Sequence, residues 1–168
     1  MVDIDSVRAL ANELMAQHGI VGSSGWSFGF DHARRRAGQT DFARRRITLS
    51  APLMRLYSES EVRGVLLHEI AHVLAGAGHH HDAEWKRIAQ TIGADPQAKL
   101  SGAPQLPPLW EGSCPAGHIF GRYRKPIGAA SCIECARAAA QLTGSSLRRH
   151  YDPRFRITWR NRSTGETL

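Results

Sequence analysis

The sequence predicts an α+β protein in two parts: a mixed core over about residues 1–95 and a small metal-held unit over 110–141. Three observations predict it. Helical stretches at 4–18, 59–75 and 82–92 surround two strand-like stretches at 26–30 and 44–50. Residues 94–109 hold Pro96, Pro104, Pro107 and Pro108 among Ser and Gly, a linker composition that places a crossing at 96–109. All three cysteines, Cys114, Cys132 and Cys135, lie beyond that crossing.

Each element has its own local reason. Val7, Leu10, Ala11, Leu14 and Met15 recur at helical spacing, and Gly19 stops the helix. Trp26-Ser27-Phe28-Gly29-Phe30 alternates large and small residues, as a strand with one buried face does. A second strand fits Arg44 to Ser50 with Ile47 and Leu49 inward, and Gly38 marks a turn or bulge between the two. The arginine runs 34–36 and 44–46 lie on these strands or their connection, where they serve either as a solvated edge or as phosphate contacts. Pro52 opens a short helical turn. Ser58 and Glu61 then form a capping box, Val62, Val65, Leu66, Ile70, Val73 and Leu74 continue the helix, and Gly76 and Gly78 end it. In the next helix Trp85, Ile88, Ala89 and Ile92 are core positions, and Gly93 closes it. Residues 142–168 form a basic tail containing one more strand around Arg154–Arg160.

The chemistry lies in the central helix, which carries His68-Glu69-Ile70-Ala71-His72. At 3.6 residues per turn His68 and His72 stand one above the other, so two imidazoles can share a zinc ion while Glu69 is carried round beside them as general base. A third ligand must come from elsewhere. Position 78, six residues after His72, is glycine, but the chain returns with His79, His80 and His81, of which His81 has the most room. A second donor set follows: Cys114 and His118, then thirteen residues, then Cys132 and Cys135. Two close pairs separated by a loop are what a tetrahedral structural zinc site requires, and three cysteines with one histidine fill it.

The totals set the remaining bounds. Hydrophobic content is 42%, enough for a soluble core, and no apolar run reaches the eighteen or so residues that span a bilayer. The N-terminus is acidic and lacks the apolar centre of a signal peptide, which predicts a cytoplasmic protein without a membrane partner. An odd number of cysteines argues against a disulfide framework. The net charge of +7 is uneven: residues 1–100 hold 12 Lys and Arg against 11 Asp and Glu, and residues 101–168 hold 10 against 4. In that second stretch Arg122, Arg124, Lys125, Arg148, Arg149, Arg154, Arg156 and Arg160 are mixed with Phe120, Tyr123, Tyr151, Phe155 and Trp159. Cations among aromatics suit phosphate contact and base stacking, so single-stranded or damaged DNA is the expected partner, with a nucleoid location to match.

This order of parts, with Ile47-Thr48-Leu49-Ser50, His68-Glu69-Ile70-Ala71-His72 and His81-Asp82-Ala83-Glu84-Trp85 ahead of a zinc ribbon, resembles the SprT-like family over residues 5–135. The eukaryotic relative Spartan is a DNA-dependent metalloprotease that degrades proteins crosslinked to DNA. The resemblance implies a zincin-like metalloprotease core in which His68, His72 and His81 bind the catalytic zinc, Glu69 is the base, and proteins are the substrates. Two positions depart from the family pattern: Asp82 stands where glycine is usual, and His118 where the ribbon has cysteine. The competing readings are a metallopeptidase that cleaves one specific regulator independently of DNA, and a zinc-containing DNA-binding scaffold without activity. Glu69 beside two histidines speaks against the scaffold, because a structural site has no use for a base.

Overall fold

The computed structural model describes residues 2–22, 25–97, 103–144 and 151–168. The chain divides into two compact units, residues 1–106 and 107–168, each with its own core.

In the first unit α1 (Ile4–Gln17) is capped by Asp3, which accepts from the Ser6 N–H, and it buries Val7, Ala11, Leu14 and Met15. A three-stranded sheet follows in the order β1 (Ser27–Asp31), β3 (Arg46–Ser50), β2 (Gly38–Asp41). β1 runs parallel to β3, and β2 antiparallel to it. Ile47 and Leu49 of the central strand are fully buried, as their alternation requires. The face expected of β1 is filled differently. Phe28 and Phe30 pack edge to face and are only half-buried, while Gly29 is the buried residue, covered by the Arg46 guanidinium.

β2 corrects the reading of Gly38 as a turn or bulge. Gly38-Gln39-Thr40-Asp41 pairs in register with Leu49 to Arg46. The turn lies after it, where Asp41 holds the Arg44 N–H and guanidinium and Arg45 takes a positive φ of 47°. A polar segment becomes a strand because its neighbour offers a row of backbone partners, which its own side chains do not announce.

Ser50 ends β3 and caps α2 (Ala51–Met54). α3 (Glu59–Ala75) begins with the capping box of Ser58 and Glu61 and ends at Gly76, with φ 91°. Val62, Val65, Leu66, Leu67, Glu69, Ile70 and Ala71 are buried on it, because α1, α4, β2 and β3 all pack against this one helix. α4 (Ala83–Thr91) buries Trp85 and Ala89. Near the end of the proline-rich crossing, Ala103 and Leu106 pack on the first core, and Leu109 on the second.

The second unit is a sheet in the order β5 (Ile119–Arg122), β4 (Trp110–Ser113), β6 (Thr158–Asn161), all antiparallel, with α5 (Ile133–Thr143) starting at Cys132. Described residues 151–168 therefore belong to this unit instead of forming a separate tail. β6 pairs with β4, and Leu168 exchanges backbone hydrogen bonds with Trp159. Among the described residues its buried core is Trp110, Cys114, Cys132, Ile157 and Trp159. So small a core calls for a staple such as a metal.

Candidate metal centres

α3 carries His68 and His72 one turn apart, and the loop after Gly76 brings His81 back over them. His81 Nε2 lies 3.0 Å from His68 Nε2 and 3.1 Å from His72 Nε2. Two imidazoles on one tetrahedral zinc ion lie about 3.3 Å apart at the usual Zn–N lengths, so the three nitrogens converge as a shared cation requires. Their electrostatics agree. Burial first, then the neighbouring imidazoles, lower His68 to about 4, against a smaller opposing effect of Asp95. Burial and His81 lower His72 to about 4 as well, against a hydrogen bond with the His79 backbone. Burial, with His80 and Lys86, lowers His81. Three neutral rings present three lone pairs and no protons to repel a cation.

Asp82, the departure from the family glycine, explains how His81 is placed. Asp82 has extended backbone and caps α4, its carboxylate accepting from the Trp85 N–H at 2.9 Å and bonding His79 Nδ1 at 2.8 Å. The left-handed conformation falls one residue earlier, on His81 itself, at φ 54°. Histidine is among the non-glycine residues that take this conformation most readily. His79 is thus engaged by Asp82 and His80 is exposed, while His81 joins His68 and His72. Trp85, fully buried, forms the wall behind all three: its ring centroid lies 4.8 Å from that of His68, 5.2 Å from His72 and 4.5 Å from His81.

Glu69 is 7% exposed. Burial pushes its carboxyl up to about 7, although a hydrogen bond from Thr40 and the charge of Arg36 work the other way. The Thr40 hydroxyl lies 2.7 Å from Glu69 Oε2 and 3.0 Å from the Glu69 carbonyl oxygen. These β2 contacts were not legible in the sequence, since β2 itself was not.

The second donor set closes at the β4–β5 turn and the start of α5. His118 Nδ1 lies 3.4 Å from Cys114 Sγ and 3.5 Å from both Cys132 Sγ and Cys135 Sγ, and Cys114 Sγ lies 3.7 Å from Cys135 Sγ. Four such donors on one tetrahedral zinc are separated by about 3.5 Å for N to S and about 3.8 Å for S to S. Without a cation the set is unbalanced. Burial raises Cys114, but hydrogen bonds with His118 and its turn outweigh this and bring it to about 6; burial and the neighbouring sulfurs push Cys135 up to about 12. A divalent ion lets the thiolates coexist.

The residues expected to touch nucleic acid are less uniform. Arg122, Arg124 and Lys125 are exposed in the second unit, with Arg122 stacked 5.1 Å over Trp159 and Lys125 paired with Glu166. Arg154 pairs with Asp152, and Tyr151 is exposed. Arg148 and Arg149 lie outside the described residues. Trp159 corrects its expected role. It is 3% exposed and packs so tightly on Gly112 that a Cβ there would meet its ring at 2.7 Å, so it is a core residue and no platform for bases.

An α+β unit that gathers three imidazoles beside a buried carboxylate has the donor set of a metallopeptidase. The chain belongs to the SprT-like family, whose profile matches residues 8–104 and so takes in the whole of this site. Members of that family are taken to be metallopeptidases. No protein of curated function matches the chain. Among the described residues no helix is long and apolar enough to cross a membrane.

Proposed function

We propose that the protein is a zinc-dependent protease with a zincin-like core, acting on proteins bound or crosslinked to DNA. The observation that carries the catalytic part is the convergence of His68, His72 and His81 next to buried Glu69. A zinc ion on these three rings would supply Lewis acidity toward a peptide carbonyl and favour ionisation of water. Glu69 accepts the proton of the attacking water and delivers it to the amide nitrogen that leaves. Trp85 and α4 keep the three rings in one orientation and exclude water from behind them.

Cys114, His118, Cys132 and Cys135 would hold a second, structural zinc that staples the small second unit. Arg122, Arg124 and Lys125 give this unit a cationic surface, and Tyr151 is an exposed ring of the same unit. Phosphate contacts of this kind bind without sequence preference, and tethering raises the local concentration of protease at DNA-bound proteins.

The test is cleavage of an unfolded protein by zinc-loaded enzyme, alone and with single- or double-stranded DNA. The expected results are two zinc ions per chain, cleavage that DNA stimulates, and loss of cleavage with retained zinc in Glu69→Gln. A Glu69→Gln variant that cleaves at the normal rate removes Glu69 as base. Cleavage indifferent to DNA at low salt removes the DNA-bound substrate class and leaves the protease.

A further inference from the structure

We infer that Thr40 and Gly38, on the edge strand β2, are positioning residues that fix the Glu69 carboxylate in its working orientation. The inference rests on Glu69 being the base, as proposed above.

Glutamate on a helix has three rotatable bonds, and a base must face its proton within hydrogen-bond reach. Among the described residues, the close contacts on the carboxylate come from β2. Thr40 Oγ1 sits 2.7 Å from Oε2, so that oxygen is engaged and Oε1 is the one left for chemistry. The same hydroxyl lies 3.0 Å from the Glu69 carbonyl, and it has a single proton to share between the two. A hydroxyl can donate to a carboxylate, or accept from a carboxylic acid while donating to the carbonyl. The contact therefore survives when Glu69 takes up a proton and when it gives the proton away.

Gly38 restrains the other side. A Cβ built there would lie 2.6 Å from Glu69 Oε1, 2.8 Å from Cγ and 2.9 Å from Cδ. Its φ is not in the left-handed region, so glycine is not required by the backbone. What excludes a side chain is the Glu69 side chain packed close against the strand. Alanine at 38 would be accommodated by swinging that carboxylate aside, a cheap movement for the fold and an expensive one for the reaction, since a displacement of about 1 Å at a reacting group can cost about a hundredfold in rate.

The experiment compares Thr40→Val, Thr40→Ser, Gly38→Ala and Glu69→Gln, each checked for zinc content. The expected result is a tenfold to hundredfold fall in kcat for Thr40→Val and Gly38→Ala, about the size seen for displaced catalytic groups. KM changes little and zinc stays bound. Thr40→Ser restores most of the turnover lost in Thr40→Val, which a role in packing the Thr40 methyl would not allow. A readout without metal or activity is the unfolding midpoint of the chelated protein, in which the shifts of Thr40→Val and Glu69→Ala should fail to add. Normal kcat in Thr40→Val and Gly38→Ala beside an inactive Glu69→Gln overturns the positioning role alone. Full activity in Glu69→Gln overturns the reading on which it rests. Additive midpoints, or a Thr40→Ser variant as slow as Thr40→Val, also count against the inference.

Discussion

Trp85 joins the fold to the site, and cutting it back should show both roles separately. Its side chain is fully buried in the first core and touches all three histidine rings. Truncation of such a residue to alanine costs about 3–5 kcal/mol. Phenylalanine keeps a ring against the histidines but gives up three ring atoms, which at about 0.8 kcal/mol per buried carbon is about 2 kcal/mol. For a unit of about 100 residues each kcal/mol moves the midpoint by about 4–8 °C, so Trp85→Phe should melt about 8–16 °C lower and Trp85→Ala should be largely unfolded at 37 °C. The assay is far-UV circular dichroism of the chelated protein, because α1, α3 and α4 dominate that signal and no ion props up the rings. Zinc affinity of Trp85→Phe, measured by competition with a chelator, should fall as well, since the wall that orients the ligands is thinner. A metal-free Trp85→Ala variant within about 1 kcal/mol of the native protein would refute the packing argument, for no mobile surface residue could be so deeply enclosed.

Three further outcomes follow from particular contacts. Burial pushes the Asp31 carboxyl up, but hydrogen bonds from the Ala33 N–H, Arg36 and Thr48 outweigh it and hold the group below its usual value. Its contribution is thus complete at neutral pH and lost as pH falls below about 4, and Asp31→Asn should flatten acid unfolding over that window. Asp82→Ala removes the α4 cap and the His79 contact, which should cost about 1 kcal/mol in urea unfolding and weaken zinc binding by releasing His81. Cys132→Ser should lower zinc from two ions per chain to one, measured by elemental analysis, and unfold the second unit while the α3 site keeps its metal.

The helices were the legible part of this chain, and for a local reason. The capping box at Ser58 and Glu61, the apolar spacing and the terminal glycine all sit within the segment they define, so α3 falls on the predicted residues. Both donor sets were legible as residue types for the same reason. β2 was not: Gly-Gln-Thr-Asp has no alternation, and its strand character comes from β3. α5 was missed because its apolar positions are mostly small alanines, Ala136, Ala138, Ala139 and Ala140, and none of its residues is buried. A strand near Arg154–Arg160 was foreseen, but its partner β4 lies too far back in the chain for any local signal to name. The support of Glu69 belongs with these failures, since it depends on the strand the sequence hid.

The separations in sequence also order events in time. His68 and His81 are 13 residues apart, and His72 and His81 only 9, so the three rings can gather as soon as α3 and α4 form a hairpin. Thr40 and Glu69 are 29 apart, and their meeting requires the β2–β3 pair to have docked on α3. Loop closure grows costlier with length, and non-local strand pairing is slow. A chain emerging from the ribosome or refolding from denaturant should therefore acquire its metal-binding rings before it acquires a seated base. Stopped-flow refolding with zinc present would show the metal taken up ahead of the first cleavage. On the proposed function, such an order would keep the half-made enzyme harmless to its neighbours, itself included, until the sheet is in place.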